Sequence, residues 1–165
     1  MRLVKLGLIS LVGLFLVIFL LSLLIPSTMR VSRAITIDAP VDTVNIYVKD
    51  MRQWILWNAL LKNENLHSVK VDQASFSSDE MKIIMLPPDS TGIKTIWERL
   101  GQGKIQSGVG ITQVENSTIV QWYFDFKVKW YPWEKFGSIV FDKELGPPME
   151  QSLDQLKKIC EKENE

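Results

Sequence analysis

The chain has few of the residues that build reactive centres. Its 165 residues include one cysteine, Cys160, and one histidine, His67. A single cysteine excludes an internal disulfide, and the two residues lie too far apart along the chain to show the ligand spacing of a zinc site. No glycine-rich phosphate loop or nucleophile-elbow pattern occurs either. We therefore expect no metal and no cofactor, and the sequence marks no catalytic residue.

An excess of charge of either sign is also missing. The chain has 19 Lys and Arg residues against 19 Asp and Glu residues. Arg2 and Lys5 precede a long apolar run, so the rest of the chain carries 17 basic against 19 acidic residues. Nucleic-acid binding needs a basic patch or stripe. Nucleic acid is therefore not an expected partner.

A long apolar run near the amino terminus is present. Leu6 to Ile25 is uncharged and is bounded by Lys5 and Pro26. A helix of that length spans about 30 Å, the thickness of the hydrocarbon core of a bilayer. Signal-peptide cores are usually shorter and end in a small-x-small cleavage site, which this chain lacks. The run predicts a retained single-pass anchor, with anchor and linker at residues 1–28, a domain at 29–162 and a frayed tail at 163–165.

The orientation of this anchor depends on a nearly even count of basic residues. Arg2, Lys5 and the amino terminus stand on one side, and Arg30 and Arg33 on the other. Basic residues are retained preferentially in the cytoplasm. The count favours an amino terminus inside and a domain outside the cytoplasm.

The strongest periodic signal in the domain is Thr118–Trp130. From Val120 to Trp130 its residues alternate between apolar and polar side chains, which is typical of a half-buried strand. The apolar face carries Val120, Trp122, Phe124, Phe126, Val128 and Trp130. This face either packs into a large core or lines a pocket for an apolar ligand, because such pockets are mostly aromatic and aliphatic.

The remaining elements predict an α+β domain. Apolar residues at spacings of three and four predict helices, and alternation between turn residues predicts strands. We predict strands at Met29–Asp38, Ser68–Ser77, Glu80–Leu86, Gly92–Leu100 and Lys104–Val114, a helix at Pro40–Lys49, and a helical turn or tight loop at Asp50–Asn58. A weaker helix is predicted at Glu134–Leu145, interrupted by Gly146, Pro147 and Pro148, and a stronger one from Pro148 to about Glu161. Cys160 lies at the apolar edge of that last helix and is expected in the core. Antiparallel strands with one long final helix predict a sheet curled around that helix.

Two segments resemble a known superfamily. The opening is similar to that of START-like (SRPBCC) proteins of the polyketide-cyclase/dehydrase type, through Ile37, Ala39, Pro40, Val44, Tyr47, Val48, Asp50, Trp54 and Trp57. The closing helix is similar through Gly146, Leu153, Leu156 and Lys157. Asn58 stands where the family usually has proline, and the family's glycine-rich region survives only around Trp97. The resemblance implies a helix-grip fold with a hydrophobic cavity between the sheet and the C-terminal helix.

Family members bind lipids, sterols, polyketides or hormones, and some are enzymes. The resemblance and the aromatic face together favour a membrane-tethered domain that binds an apolar or amphipathic, lipid-like molecule. The residues expected to line its cavity are Trp97, Trp122, Phe124, Phe126, Trp130, Met149 and Leu153. Two alternatives stay open, a cyclase- or dehydratase-type enzyme and a packed interaction module without a ligand.

A second candidate surface lies near the end of the long strand. Aromatic residues interleaved with lysines are typical of membrane interfaces. Trp130, Tyr131, Trp133 and Lys135 form such a group, and we expect them to rest on the bilayer beside the anchor. The alternative is that the aromatic residues cover the core while the lysines are solvated.

Overall fold

The computed structural model of the chain describes residues 2–24, 27–62, 66–87, 92–101, 103–128, 134 and 140–163. A first helix, α1 (Arg2–Leu24), precedes an α+β domain. Within α1, the segment Val4–Leu24 is long and apolar enough to cross a membrane, a test that a signal sequence also passes. Nearly all of its described apolar side chains are exposed.

The domain is built on one antiparallel sheet of seven strands in the order β1-β7-β6-β5-β4-β3-β2. The first strand therefore pairs with the last, and the others form a meander. The strands are β1 (Thr28–Ile37), β2 (Lys70–Val71), β3 (Ser75–Ser77), β4 (Met81–Met85), β5 (Ile93–Arg99), β6 (Lys104–Val114) and β7 (Ser117–Lys127).

Helices cover one face of this sheet. They are α2 (Val41–Val48), α3 (Met51–Trp57), a 3-10 helix (Ala59–Leu61) and the long C-terminal helix α4 (Val140–Lys162). The α+β prediction of a curled antiparallel sheet with a long final helix is confirmed. The core lies between the sheet and these helices, and Cys160 is buried in it as expected.

The predicted alternation of the long strand is present in β7. Thr118, Val120, Trp122 and Phe124 are buried, whereas Gln121 is exposed on the other face. A period of two places every second side chain on the helix-covered face, so Trp122, Phe124 and Phe126 point into the core, whereas Tyr123 lies on the other face.

We name the two ends of the sheet by their distance along the chain from α1: the proximal end is the one at which β1 begins. The proximal end is defined by Thr28, Arg99, Lys104 and Lys127, since β1 begins and β7 ends there in register. The distal end is defined by the opposite termini of the same strands, Ile37, Ile93, Val114 and Ser117.

One strand prediction is wrong. Ser68–Ser77 is not a single strand but contains the two short strands β2 and β3. The Asp72 backbone N–H donates to the Ser75 carbonyl at 2.8 Å and closes a tight turn between them. Few apolar residues alternate in this segment. A continuous strand would therefore bury little more apolar surface than two short strands joined by a turn.

The predicted interruption of the last helix is also wrong. α4 runs without a break through Gly146, Pro147 and Pro148. Prolines have no N–H to donate to the carbonyls of Lys143 and Glu144, but both of those residues are exposed. Water is therefore able to satisfy their carbonyls, and the helix continues. The earlier part of the predicted helix, 135–139, lies outside the described residues.

Arg33 on β1 holds α4 on both sides of these prolines. Its guanidinium contacts Asp142 at 2.9 Å and Glu150 at 2.6 Å. The hydrogen bond from Arg33 lowers the pKa of the Asp142 carboxyl. A Cβ on Gly146 would collide with the Arg33 guanidinium, so the absence of a side chain at residue 146 leaves room for this ion-pair bridge.

Candidate functional site

Four tryptophans meet in the interior, and one of them, Trp122, lies on the distal side of Phe124 and Phe126 along β7. Trp54 and Trp57 come from α3, Trp97 from β5 and Trp122 from β7. Five pairs among these rings have centroids between 5.1 and 6.5 Å apart, and Trp54, Trp57 and Trp122 are fully buried. We call this group the tryptophan cluster. It fills the space between the sheet and α3.

Every indole N–H of the tryptophan cluster has a hydrogen-bond partner. Trp54 donates to the Val48 carbonyl at 2.8 Å and Trp57 to the Tyr47 carbonyl at 3.1 Å. On the sheet, Trp97 donates to the Thr95 hydroxyl at 3.0 Å and Trp122 to the Ser107 hydroxyl at 2.9 Å. Buried indoles are stable when their N–H is satisfied. None of these groups is left over to bind a polar ligand atom.

Helix α3 places two of the four rings. Asp50 caps the helix, because its carboxylate accepts from the Arg52 backbone N–H at 2.9 Å. The Arg52 side chain also hydrogen-bonds this carboxylate and lowers its pKa. Residues three apart on a helix share a face, so Trp54 and Trp57 both turn towards the sheet. Asn58 ends α3, and its buried amide nitrogen has no partner among the described residues.

A small cavity lies beside the tryptophan cluster at the proximal end. Its volume is about 70 Å³, whereas ligand pockets usually measure about 300–1,000 Å³. We call it the proximal cavity. It is lined by Leu60, Met81, Trp97, Glu98, Arg99, Ile105, Phe124, Phe126 and Leu145. A small, partly open recess therefore lies between the sheet and Leu145 of α4.

The structure separates the predicted cavity residues into two groups. Trp97, Phe124 and Phe126 line the proximal cavity. Met149 and Leu153 are buried in the core, as is Trp122 in the tryptophan cluster, and none of the three lines this cavity. Trp130 lies outside the described residues, as do Tyr131, Trp133 and Lys135 of the predicted membrane-interface group.

Six lining residues were not predicted from the sequence: Leu60, Met81, Glu98, Arg99, Ile105 and Leu145. The strand register brings three of them together, since Met81 pairs with Arg99 on one side of β5 and Ile105 pairs with Trp97 on the other. Period-two alternation puts Arg99 on the face of Trp97. This alternation was the sequence signal that could have placed Arg99 on the inner face. The adjacent apolar residues Ile96 and Trp97 made the inner face of β5 ambiguous.

The ionisable residues of the proximal cavity are Glu98 and Arg99, and both are exposed. Glu98 pairs with Lys104 at 3.7 Å. Acid–base catalysis needs a group held in the cavity and shielded from water, and the described lining contains no such carboxylate or histidine. Within the described part of the chain, no three His, Cys, Asp or Glu side chains are grouped to hold a metal ion.

Larger recesses occur on the opposite face of the sheet. Two of them measure about 490 and 510 Å³ and share Arg30, Gln106 and Asp125. Arg30 forms a two-pronged ion pair with Asp125, both contacts at 2.7 Å, and its guanidinium lies 4.1 Å from the centre of the Tyr123 ring. Both recesses lie on the face of the sheet that no described helix covers, and the charges that they share, Arg30 and Asp125, are paired with each other. They do not resemble a pocket for an apolar molecule.

The architecture is similar to that of solved proteins. A START superfamily protein from Mycobacterium smegmatis matches 81% of this chain and 97% of its own, with 18% identity and a TM-score of 0.53. A truncated norcoclaurine synthase from Thalictrum flavum matches 80% and 92%, with 14% identity and a TM-score of 0.58. CalU16 from Micromonospora echinospora matches 80% and 73%, with 16% identity and a TM-score of 0.54.

Comparison of the sequence with family models and with curated proteins gives no match. At these identities the structural matches report on architecture alone, and they agree with the resemblance seen at the opening strand and in the closing helix. The chain has the helix-grip fold of START-like (SRPBCC) proteins.

Proposed function

We propose that the chain is a membrane-tethered START-like domain that binds an apolar or amphipathic, lipid-like small molecule between the sheet and α4. The proximal cavity is the observation that carries this proposal. It is bounded by the sheet and by Leu145 of α4, and its lining is mainly aromatic and aliphatic. Apolar lining of this kind favours apolar ligands. Residues 1–28 form the anchor and linker, residues 29–162 the binding domain, and the domain lies outside the cytoplasm.

Binding requires the proximal cavity to widen. Its wall on the helix side is the start of α4, where Phe141 packs on Phe126 with ring centroids 4.7 Å apart. Pro147 and Pro148 remove two backbone hydrogen bonds between this segment and the rest of α4. The segment Val140–Leu145 is therefore less firmly joined to the helix than the later turns, and we propose that it moves outwards when the ligand enters.

A packed interaction module is the second candidate. The tryptophan cluster favours it, because four rings with satisfied N–H groups fill the space where a larger ligand would lie. In this alternative the proximal cavity is a packing defect and α4 does not move. The aromatic and lysine group at Trp130, Tyr131, Trp133 and Lys135 stays a prediction for contact with the bilayer under either function.

A fluorescent fatty acid distinguishes the two candidates. Dansyl-undecanoic acid is titrated into the detergent-solubilised full chain, and into the variants Leu145→Trp and Val114→Trp. Leu145 lines the proximal cavity, so the larger indole fills it. Val114 is 47% exposed at the distal end of β6, so the same substitution there leaves the cavity open. We expect saturable binding by the unmodified chain and by Val114→Trp, and loss of binding by Leu145→Trp.

Two results would count against ligand binding. One is the absence of saturable fluorescence enhancement with the unmodified chain. The other is equal binding by Leu145→Trp and Val114→Trp, which would place the probe on the surface. Near-UV circular dichroism of each variant verifies that the tryptophan cluster is intact.

A further inference from the structure

The lining of the proximal cavity is concentrated at one end of four neighbouring strands. Met81 is the first residue of β4, Arg99 the last of β5 and Ile105 the second of β6. Phe126 is one residue from the end of β7. Because these strands alternate in direction, all four positions lie at the proximal end of the sheet. Glu98 and Arg99 are exposed there, so this end is the mouth of the cavity.

The mouth lies at the same end of the sheet as the anchor. α1 ends at Leu24 and β1 begins at Thr28, so that four Cα-to-Cα steps join them. A fully extended chain covers at most about 14 Å in four steps. The Val128 backbone N–H also donates to the Ser27 carbonyl at 2.9 Å, which ties the end of β7 to this linker. If α1 spans a bilayer, the proximal end of the sheet lies at the bilayer surface.

Among the residues that the structure describes, no comparable opening lies at the distal side of the proximal cavity. The tryptophan cluster lies next to it, with Trp97 shared between them. Trp54, Trp57 and Trp122 have no exposed surface. Within the described residues, a molecule that reaches the proximal cavity therefore enters from the end that faces the anchor.

Arg99 supplies a positive charge at this mouth. It pairs in the strand register with Met81 and follows Trp97 on the inner face of β5. Arg99 makes no ion pair with any residue that the structure describes. Its neighbour Glu98 is engaged by Lys104. A guanidinium beside an apolar cavity is complementary to an amphiphile with an acidic headgroup, because arginine binds phosphate and carboxylate with paired hydrogen bonds.

We infer that the proximal cavity takes its occupant directly from the leaflet beside which α1 ends: the acyl chain of one anionic bilayer lipid enters the cavity, and its headgroup binds Arg99. This inference rests on the proposed function and on a retained anchor. It adds the source of the ligand, its charge and the residue that selects it. A lipid that slides out of the adjoining leaflet never crosses water, so the anchor removes the step that is most costly for an apolar chain.

Photo-crosslinking in vesicles tests the inference. The full chain is reconstituted into vesicles that contain phosphatidylglycerol or phosphatidylcholine with a diazirine on the acyl chain. After illumination, mass spectrometry locates the lipid on the chain. The variants are Arg99→Gln and Lys82→Gln. Lys82 is a matched control, because it is exposed on the outer face of β4 near the same end of the sheet and pairs in register with Glu98.

We expect phosphatidylglycerol to label residues of the proximal cavity, Ile105 and Phe126 among them, more strongly than phosphatidylcholine does. Loss of a charge-assisted contact reduces this preference by about tenfold in Arg99→Gln. Lys82→Gln keeps the preference. Labelled lipid supplied in separate vesicles should give little labelling of the cavity.

Several outcomes would overturn the inference. They are labelling confined to α1, an equal preference in the Arg99→Gln variant, a loss as large in Lys82→Gln, or equal labelling from separate vesicles. Binding of dansyl-undecanoic acid in detergent separates these failures from failure of the proposed function. If that probe still binds in the Leu145-dependent way, only the source or the charge of the ligand is wrong. If it does not bind, the proposed function itself fails.

Discussion

The distal and proximal halves of the interior are built from the same sheet but differ in what faces it. In the distal half, α3 places Trp54 and Trp57 against Trp122, and every indole N–H is satisfied. In the proximal half, Phe126 contacts Phe124 and, at the start of α4, Phe141, and a cavity of about 70 Å³ remains. Trp122 and Phe126 are four residues apart on β7, or about 13 Å. One continuous aromatic face therefore serves as packed core at one end and as cavity wall at the other.

The difference shows that the aromatic content of a strand does not decide between core and pocket. The helix that packs on the strand decides whether its aromatic face becomes core or pocket wall. A helix that brings two indoles fills the space, whereas a helix that begins shortly before two prolines, and brings Phe141 and Leu145, leaves some of it open. The distal half is expected to supply stability, and the proximal half to yield when a ligand enters.

The largest expected effect is on the distal half. Trp54→Ala removes a fully buried indole and should lower the free energy of unfolding by about 3–5 kcal/mol. That is a large part of the total stability of about 5–15 kcal/mol of an ordinary domain. Leu145→Ala, at a half-buried residue of the proximal cavity, should cost only about 1 kcal/mol. Urea unfolding of the full chain in detergent, followed by circular dichroism, measures both. Equal losses would show that the two halves are equally packed.

Local patterns predicted each half incompletely. Period-two alternation was sufficient to place Val120, Trp122, Phe124 and Phe126 on the inner face of β7, and a spacing of three was sufficient to put Trp54 and Trp57 on one face. Whether Trp54 and Trp57 meet Trp122 depends on contacts between residues more than sixty positions apart. No local period in the sequence encodes such contacts. The role of Arg99 depends on its register with Met81, and that of Leu145 on a helix that continues through two prolines. Tertiary packing determines both.

The junction between the two halves of α4 should show an intermediate effect. Gly146→Ala would displace the Arg33 guanidinium from Asp142 and Glu150, and we expect it to lower the free energy of unfolding slightly, since ion pairs to such exposed carboxylates contribute little. In an Arg33→Ala background the same substitution meets no obstacle. It should then stabilise the helix by up to about 1 kcal/mol, because alanine is the better helix former. Two additive changes in this double-mutant cycle would exclude the contact.

The smallest expected effect on stability, and the most direct comparison of the two halves, comes from one cysteine in each. Cys160 is fully buried near the distal end of α4, and burial raises the pKa of its thiol to about 12. An ordinary cysteine has a pKa of about 8.5 and is partly thiolate at pH 8. The thiolate fraction of Cys160 at that pH is more than about a thousandfold smaller, and the thiolate is the reactive form. Cys160 should resist iodoacetamide in the folded chain and react readily in urea.

The proximal probe is Leu145→Cys in a Cys160→Ala background, which leaves one thiol at the cavity. We expect it to react in the folded chain at a rate near that of a free thiol, and to be protected once dansyl-undecanoic acid fills the cavity. Mass spectrometry of the alkylated chain over time measures both rates. If Cys160 reacted as fast as the proximal cysteine, the distal core would open as readily as the cavity. If the fatty acid failed to protect residue 145, α4 would not border the bound ligand, and the proximal half would be an incompletely packed core like any other.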